Sequence, residues 1–171
     1  EELKAEGGVI SGEQFVDECQ VESDLELLLP ATYVTGSSER MLLYRELDSL
    51  TLDKDVEDFR TRLIDRFGPI PSETEELLRI VPLRRLAARL GAEKIFLKGG
   101  RMSLFFVSNP DSPYYQSQAF GKVIAYMMKY TRRCDLREQN TRRSMLVKDV
   151  KNVETAVSVL QEIVAMQVEE G

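Results

Sequence analysis

Apolar residues along this chain keep two rhythms, and the change between them falls at Glu93. Upstream the spacing is three to four residues: Leu43, Leu47 and Leu50, then Val56, Phe59, Leu63 and Phe67, then Leu77, Leu78, Val81, Leu86 and Leu90. Each set lines one face of an amphipathic helix. Downstream the period is two. Lys94-Ile95-Phe96-Leu97 and Met102-Ser103-Leu104-Phe105-Phe106-Val107 read as strands, with Gly99-Gly100 as the hairpin turn between them. Helical spacing returns with Phe120, Val123, Ile124, Met127 and Met128. Short strands follow around residues 134–137 and 144–147, then a last helix with Val153, Ala156, Val157, Leu160, Ile163 and Val164 inward. Ahead of all these, the run Leu25, Leu27, Leu28 and Leu29 stops at Pro30 and reads as a further strand, with Val21 a candidate member. The order strand, three helices, hairpin, helix, hairpin, helix predicts a single α+β domain, its helices packed on a small, mainly antiparallel sheet.

Punctuation residues sharpen the boundaries. Gly68 stands where a helix end needs a positive φ, and Pro69 forbids continuation. Ser72 with Glu75 three residues later reads as a capping box for the next helix. Ser37 or Ser38, Asp53 and Asn152 are the expected caps of the first, second and last helices. Pro82 interrupts the third helical pattern and predicts a kink or break near Ile80-Val81. The stretch Leu63-Ile64-Asp65-Arg66-Phe67-Gly68-Pro69-Ile70-Pro71 thus encodes a stop, a rigid turn and a restart, with Asp65 and Arg66 exposed beside the turn.

Composition narrows the chemistry. The 171 residues suit one domain, and 43% hydrophobic with 30% charged residues fits an ordinary globular protein. No apolar run approaches the roughly 20 residues of a membrane span. The chain opens on Glu1 rather than methionine, and is expected to be a piece of something larger. Histidine is absent, which removes the commonest general base near neutral pH and the commonest zinc ligand. Cys19 and Cys134 lie far apart without metal-like spacing and read as reduced, structural thiols. Gly99-Gly100 leads into a strand rather than a helix, so it is a turn and not a phosphate cradle. The carboxylate pairs Glu57/Asp58 and Glu75/Glu76 sit in helix first turns or on solvated faces, where acid–base catalysis has no foothold.

Charge is unevenly spread. Residues 1–58 carry 16 acidic and 4 basic side chains, whereas residues 117–151 carry 3 acidic and 9 basic, so the two ends differ in the partner each attracts. Within the basic stretch, Lys122, Lys129, Arg132, Arg133, Arg137, Arg142 and Arg143 are either one patch for nucleic-acid phosphates or a solvated face balanced by the acidic third. Arg132, Arg133, Arg142 and Arg143 are the candidate phosphate contacts of the first reading. On the second helix, Asp58 and Arg62 stand at the i, i+4 spacing of an exposed ion pair.

Three blocks carry a resemblance: Asp24-Leu25-Glu26-Leu27-Leu28-Leu29-Pro30-Ala31-Thr32-Tyr33-Val34, then Glu39-Arg40 with Leu43-Tyr44-Arg45-Glu46-Leu47, then Leu63 to Pro71. In wording and spacing they closely resemble the C-terminal domain of bacterial transcription-repair coupling factors, the Mfd family, over about residues 20–165. The segment Asn109-Pro110-Asp111-Ser112-Pro113-Tyr114-Tyr115 is similar to the Bacteroidetes branch. The resemblance implies a lead-in from a translocase domain over residues 1–23, the domain itself over 24–166 and a frayed tail over 167–171. It implies a non-catalytic module without cofactor of its own, ATP and magnesium belonging to the parent's helicase-type domains. It further implies a cytoplasmic protein whose domain packs on a UvrB-like N-terminal domain of the same chain and masks the surface that binds UvrA. Through the parent it is linked to RNA polymerase and DNA. The family's interdomain contact falls on Asp65, with Asp58, Arg62 and Arg66 around it; Arg62 stands where relatives often carry an acid or an amide. The competing expectation is an accessory nucleic-acid module using residues 117–151.

Overall fold

The computed structural model describes residues 15–168. In chain order the elements are β1 (Gln20–Ser23), α1 (Ser37–Ser49), α2 (Asp53–Phe67), α3 (Ser72–Arg89), β2 (Ala92–Lys98) and β3 (Arg101–Phe106). A short 3-10 turn (Pro113–Gln116) leads to α4 (Gln118–Lys129), β4 (Cys134–Gln139), β5 (Arg142–Val147) and α5 (Val153–Val164). The strands form one sheet in the order β1-β2-β3-β5-β4. Only β1 against β2 is parallel, because three helices intervene between them; the other pairings are antiparallel. This is the α+β architecture that the two apolar rhythms predict.

Two cores share α3. Leu78 and Val81 pack with Leu47, Val56, Phe59 and Leu63 from α1 and α2. Leu83, Leu86, Ala87 and Ala88 join the larger core between the sheet and the helices α4 and α5. The helix runs unbroken through Pro82. The expected break does not occur, since burial on both sides of Pro82 outweighs the one hydrogen bond its missing donor removes. Glu76, on the same helix, accepts from the backbone nitrogens of Val153 (2.6 Å) and Glu154 (3.0 Å), so α3 supplies the carboxylate that caps α5.

Several local expectations move. The Leu25–Leu29 run is not a strand. The edge of the sheet is taken instead by Gln20–Ser23, and Asp24 closes it, donating its backbone nitrogen to Leu97 O and accepting from Gly99 N. Helices α1, α2 and α3 are preceded by Gly36, Leu52 and Pro71, none of which caps through a side chain. Ser37, Asp53 and Ser72 are already helical, one residue later than the caps expected of them. Glu75 pairs with Arg60 rather than completing a capping box. Asn152 does cap α5, accepting from Thr155 N at 2.7 Å. The lead-in expected over residues 1–23 lies in part outside the described residues; of it, Val16 and Cys19 are buried and Phe15 meets the Tyr114 ring edge-on at 5.5 Å. Of the tail, residues 169–171 lie outside the described residues.

Both cysteines are free and buried. Burial pushes Cys19 up to about 12 and Cys134 up to about 11 from an ordinary value of 9.0. The folded state therefore favours the neutral thiols. Their contribution is fully present below about pH 9 and is lost as pH rises further, because only the unfolded chain then gains from ionisation. The urea midpoint is expected to be flat from about pH 7 to 8.5 and to fall above about 9. A thiol reagent should titrate both cysteines only once urea has unfolded the chain.

Gly91 ends α3 at φ +84°, and a Cβ there would lie 2.1 Å from Tyr114 Cε1. Tyr114 is itself fully buried, donating from its hydroxyl to Leu90 O at 2.5 Å. Gly91→Ala is expected to destabilise by about 3 kcal/mol or more in urea unfolding, from backbone strain and overpacking together.

Candidate functional site

The three sequence blocks become one fastening in space. Tyr33 donates from its hydroxyl to Gly68 O (2.8 Å) and, more weakly, to Leu63 O (3.3 Å), and its ring lies 5.6 Å from that of Phe67. Leu29 N donates to the Tyr44 hydroxyl at 2.7 Å. Thr74, completely buried, donates to Leu28 O at 2.8 Å, and Arg40 donates to Val34 O at 2.7 Å. The leucine-rich stretch is thus an extended strap whose backbone polar groups are met by side chains of α1 and α3, while its own Tyr33 grips the end of α2. A strap fastened this way needs no strand partner.

The strap fixes the relative placement of α1 and α2, and between them lies a groove of about 240 Å³. Leu43, Phe59, Leu63 and Phe67 form its apolar walls, and Arg62, Asp65 and Arg66 stand at its rim. Arg62 pairs with Glu46, and Arg66 with Glu39, so both arginines reach across to α1. Each guanidinium also sits over a ring of α2, Arg62 at 5.4 Å from Phe59 and Arg66 at 5.2 Å from Phe67. The hydrogen bonds that Arg62 donates to Glu46 are the main reason it holds its proton more firmly than a free arginine. Asp58 is therefore not the main partner of Arg62, contrary to the i, i+4 expectation. Asp65 is exposed and makes no side-chain hydrogen bond or ion pair among the described residues. On the same two helices Met41, Leu42 and Ile64 are exposed at 58%, 63% and 46%.

The four arginines of the basic stretch are not brought into one patch. Arg132 and Arg133 precede β4, whereas Arg142 and Arg143 begin β5 at the opposite end of the same hairpin, about 15 Å or more away. Arg133 is spent on the backbone, donating to Lys148 O (2.9 Å) and Asp149 O (3.2 Å). Arg142 pairs with Glu93 at 3.1 Å on one face of the sheet. Arg143, its neighbour along the strand, lies 4.3 Å over the Tyr115 ring on the other. Of the carboxylate pairs, Glu75 is occupied by Arg60, Glu76 by Arg79 and the α5 terminus, and Glu57 by Arg60.

A second cavity, of about 460 Å³, opens between the lead-in, the α1–α2 connection and α3. Arg84 and Arg85 on its wall pair with Asp48 and Asp53, and Asp17 and Glu18 line it as well. Among the described residues no group of histidine, cysteine, aspartate or glutamate has the arrangement of a metal site. Periodicity located the groove walls but not the fastening, because hydroxyls of Tyr33, Tyr44 and Thr74 carry no periodic signal; Tyr33 and Tyr44 lie within the three blocks, and Thr74 lies just beyond the third.

Tyr33→Phe keeps the ring contact and removes the hydroxyl. It is expected to lower stability by about 1 kcal/mol and to speed amide exchange in residues 66–70, measured by urea unfolding and hydrogen exchange.

Comparison with known proteins places the chain. A family model described as the TRCF domain matches residues 23–117. The transcription-repair-coupling factor of Rickettsia bellii is 30% identical over 132 residues, 77% of this chain and 11% of the relative. That of Escherichia coli is 33% identical over 76 residues, 44% of this chain and 7% of the relative. The chain thus spans about a tenth of the length of the curated relatives it matches. A crystal structure of the C-terminal domain of transcription-repair coupling factor superposes with a TM-score of 0.65 at 16% identity, covering 86% of this chain and 93% of that one.

Proposed function

The chain belongs to the TRCF domain family, and from that premise we propose that its α1–α2 groove docks on a UvrB-like N-terminal domain of the same transcription-repair coupling factor. In the resting protein this contact covers the surface that recruits UvrA; when the factor acts on stalled RNA polymerase the contact opens. The domain is on this reading a regulatory clamp, while ATP hydrolysis and DNA translocation belong to the rest of the parent.

The observation that carries the proposal is Asp65. Its neighbours Arg62 and Arg66 are both drawn to α1 by Glu46 and Glu39, leaving one carboxylate free at the mouth of an apolar groove. An apolar floor supplies affinity, and an unpartnered rim charge supplies orientation. A contact that must open is served by this size and polarity, since a small, charge-rimmed interface is specific without being permanent.

Asp65→Arg tests it. Titration calorimetry of this chain against the separately expressed N-terminal domain is expected to give saturable binding, weakened about 10- to 100-fold by the reversal. In the full-length factor the same substitution should raise UvrA capture in the absence of polymerase. Unchanged UvrA capture, with the fold intact by circular dichroism, would remove Asp65 from the contact.

A further inference from the structure

The sheet has a second face that the core does not use. Alternate residues Ile95, Leu97, Met102, Leu104, Met145 and Val147 point into the main core. Phe96, Phe105 and Leu146, from the same three strands, belong to neither core cluster, although Leu146 is only 8% exposed. Strand register sets them side by side. Phe96 stands opposite Ser103, which stands opposite Leu146; in the next row Lys94 stands opposite Phe105. The two phenylalanine rings meet edge-on, 5.5 Å between centroids and 81° between planes.

Cations ring this strip. Lys94 lies 4.6 Å over the Phe96 ring and pairs with Glu22, and Arg142 lies 5.7 Å from the Phe105 centroid. Lys98 and Arg101, opposite one another at the hairpin end, are exposed and have no ion pair among the described residues. Among the described residues, every ring or ion-pair contact of these side chains joins two residues of the sheet, and no helix meets them. A chain of net charge −6 thus sets two half-buried aromatic rings among basic side chains on one face of its sheet.

We infer that this open face binds single-stranded nucleic acid, Phe96 and Phe105 each taking a base and Lys94, Lys98, Arg101 and Arg142 meeting the phosphates. A base offers an aromatic plane that replaces the cation now resting over each ring. The displaced ammonium or guanidinium, on its flexible stem, swings to the adjacent phosphate. The ion pairs with Glu22 and Glu93 are surface contacts that a phosphate outcompetes. Paired, stacked bases in a duplex cannot present their planes, so the face discriminates against double strands. The surface lies on the sheet and the docking groove on α1–α2, so the two stand or fall separately.

Fluorescence anisotropy of this chain with labelled dT12 and U12 strands, and a 12-base-pair duplex, at about 50 mM salt decides the matter. Single strands are expected to bind and the duplex to bind more weakly, with affinity falling steeply as salt rises. Phe96→Leu with Phe105→Leu keeps the apolar bulk and removes the stacking planes; it should weaken single-strand binding at least about tenfold. Lys98→Glu with Arg101→Glu should weaken binding and flatten the salt dependence. No single-strand binding at about 100 μM protein would overturn the proposal, as would affinity unchanged in the double leucine variant. Self-association in sedimentation that the leucine substitutions abolish, without nucleic-acid binding, would assign the face to a second copy of the chain and overturn it equally.

Discussion

Helix α3 is gripped from two sides, with Leu78 and Val81 in the helical core and Leu83, Leu86 and Ala87 in the core beneath the sheet. Burying that many apolar side chains on one 18-residue helix makes it the beam to which both halves are bolted. It explains why Pro82 is tolerated without a break. It also explains why Glu76 can serve a different helix: a beam held rigidly on two faces can position a carboxylate against the α5 backbone nitrogens. The close approach of Gly91 to Tyr114 follows from the same constraint, since the chain must turn at once from α3 into β2 beneath a buried ring.

Against this frame the polar contacts divide by environment. Thr74 to Leu28, Tyr33 to Gly68 and Tyr44 to Leu29 are neutral hydrogen bonds inside or at the edge of the protein, where leaving a partner unmatched is costly. They hold the strap and with it the α1–α2 geometry. The ion pairs at the groove rim, Arg62 with Glu46 and Arg66 with Glu39, are largely solvated and contribute roughly 1 kcal/mol or less each. Rigidity thus comes from the fastening, and adaptability from the rim. A docking surface that engages and releases needs both, since a rim of strong fixed charges would not exchange partners readily.

The helices and the first hairpin were legible because their signals are local. The 3.6-residue rhythm around Phe59 and Leu63, the paired positive-φ glycines 99 and 100, and the cap at Asn152 each depend on residues within one turn of one another. The Leu25–Leu29 run was misread for the opposite reason. Four leucines before a proline suit a buried strand, but burial is equally met by a strap against α1 and α3, and Gln20–Ser23 takes the edge of β2 that β3 leaves free. The N-terminal caps slid by one residue because Ser37, Asp53 and Ser72 find the helix already begun, and nothing in the local wording separates an N-cap from the first helical position.

By itself, the sequence determined the class of fold, the element order, the inert character of the two thiols and the family to which the three blocks point. These rest on periodicity, composition and short-range spacing, which survive without knowledge of distant contacts. Only the tertiary structure decided which charges are free. Asp65, Arg62 and Arg66 are indistinguishable in the sequence as exposed charged residues near a turn, and it is the approach of Glu39 and Glu46 from another helix that occupies two and leaves the third. Likewise the basic stretch became two separated groups once strand register placed Arg132 and Arg142 at opposite ends of a hairpin. Partnership between charges is a matter of distances of a few ångströms between residues far apart in the chain, and the fold alone sets those.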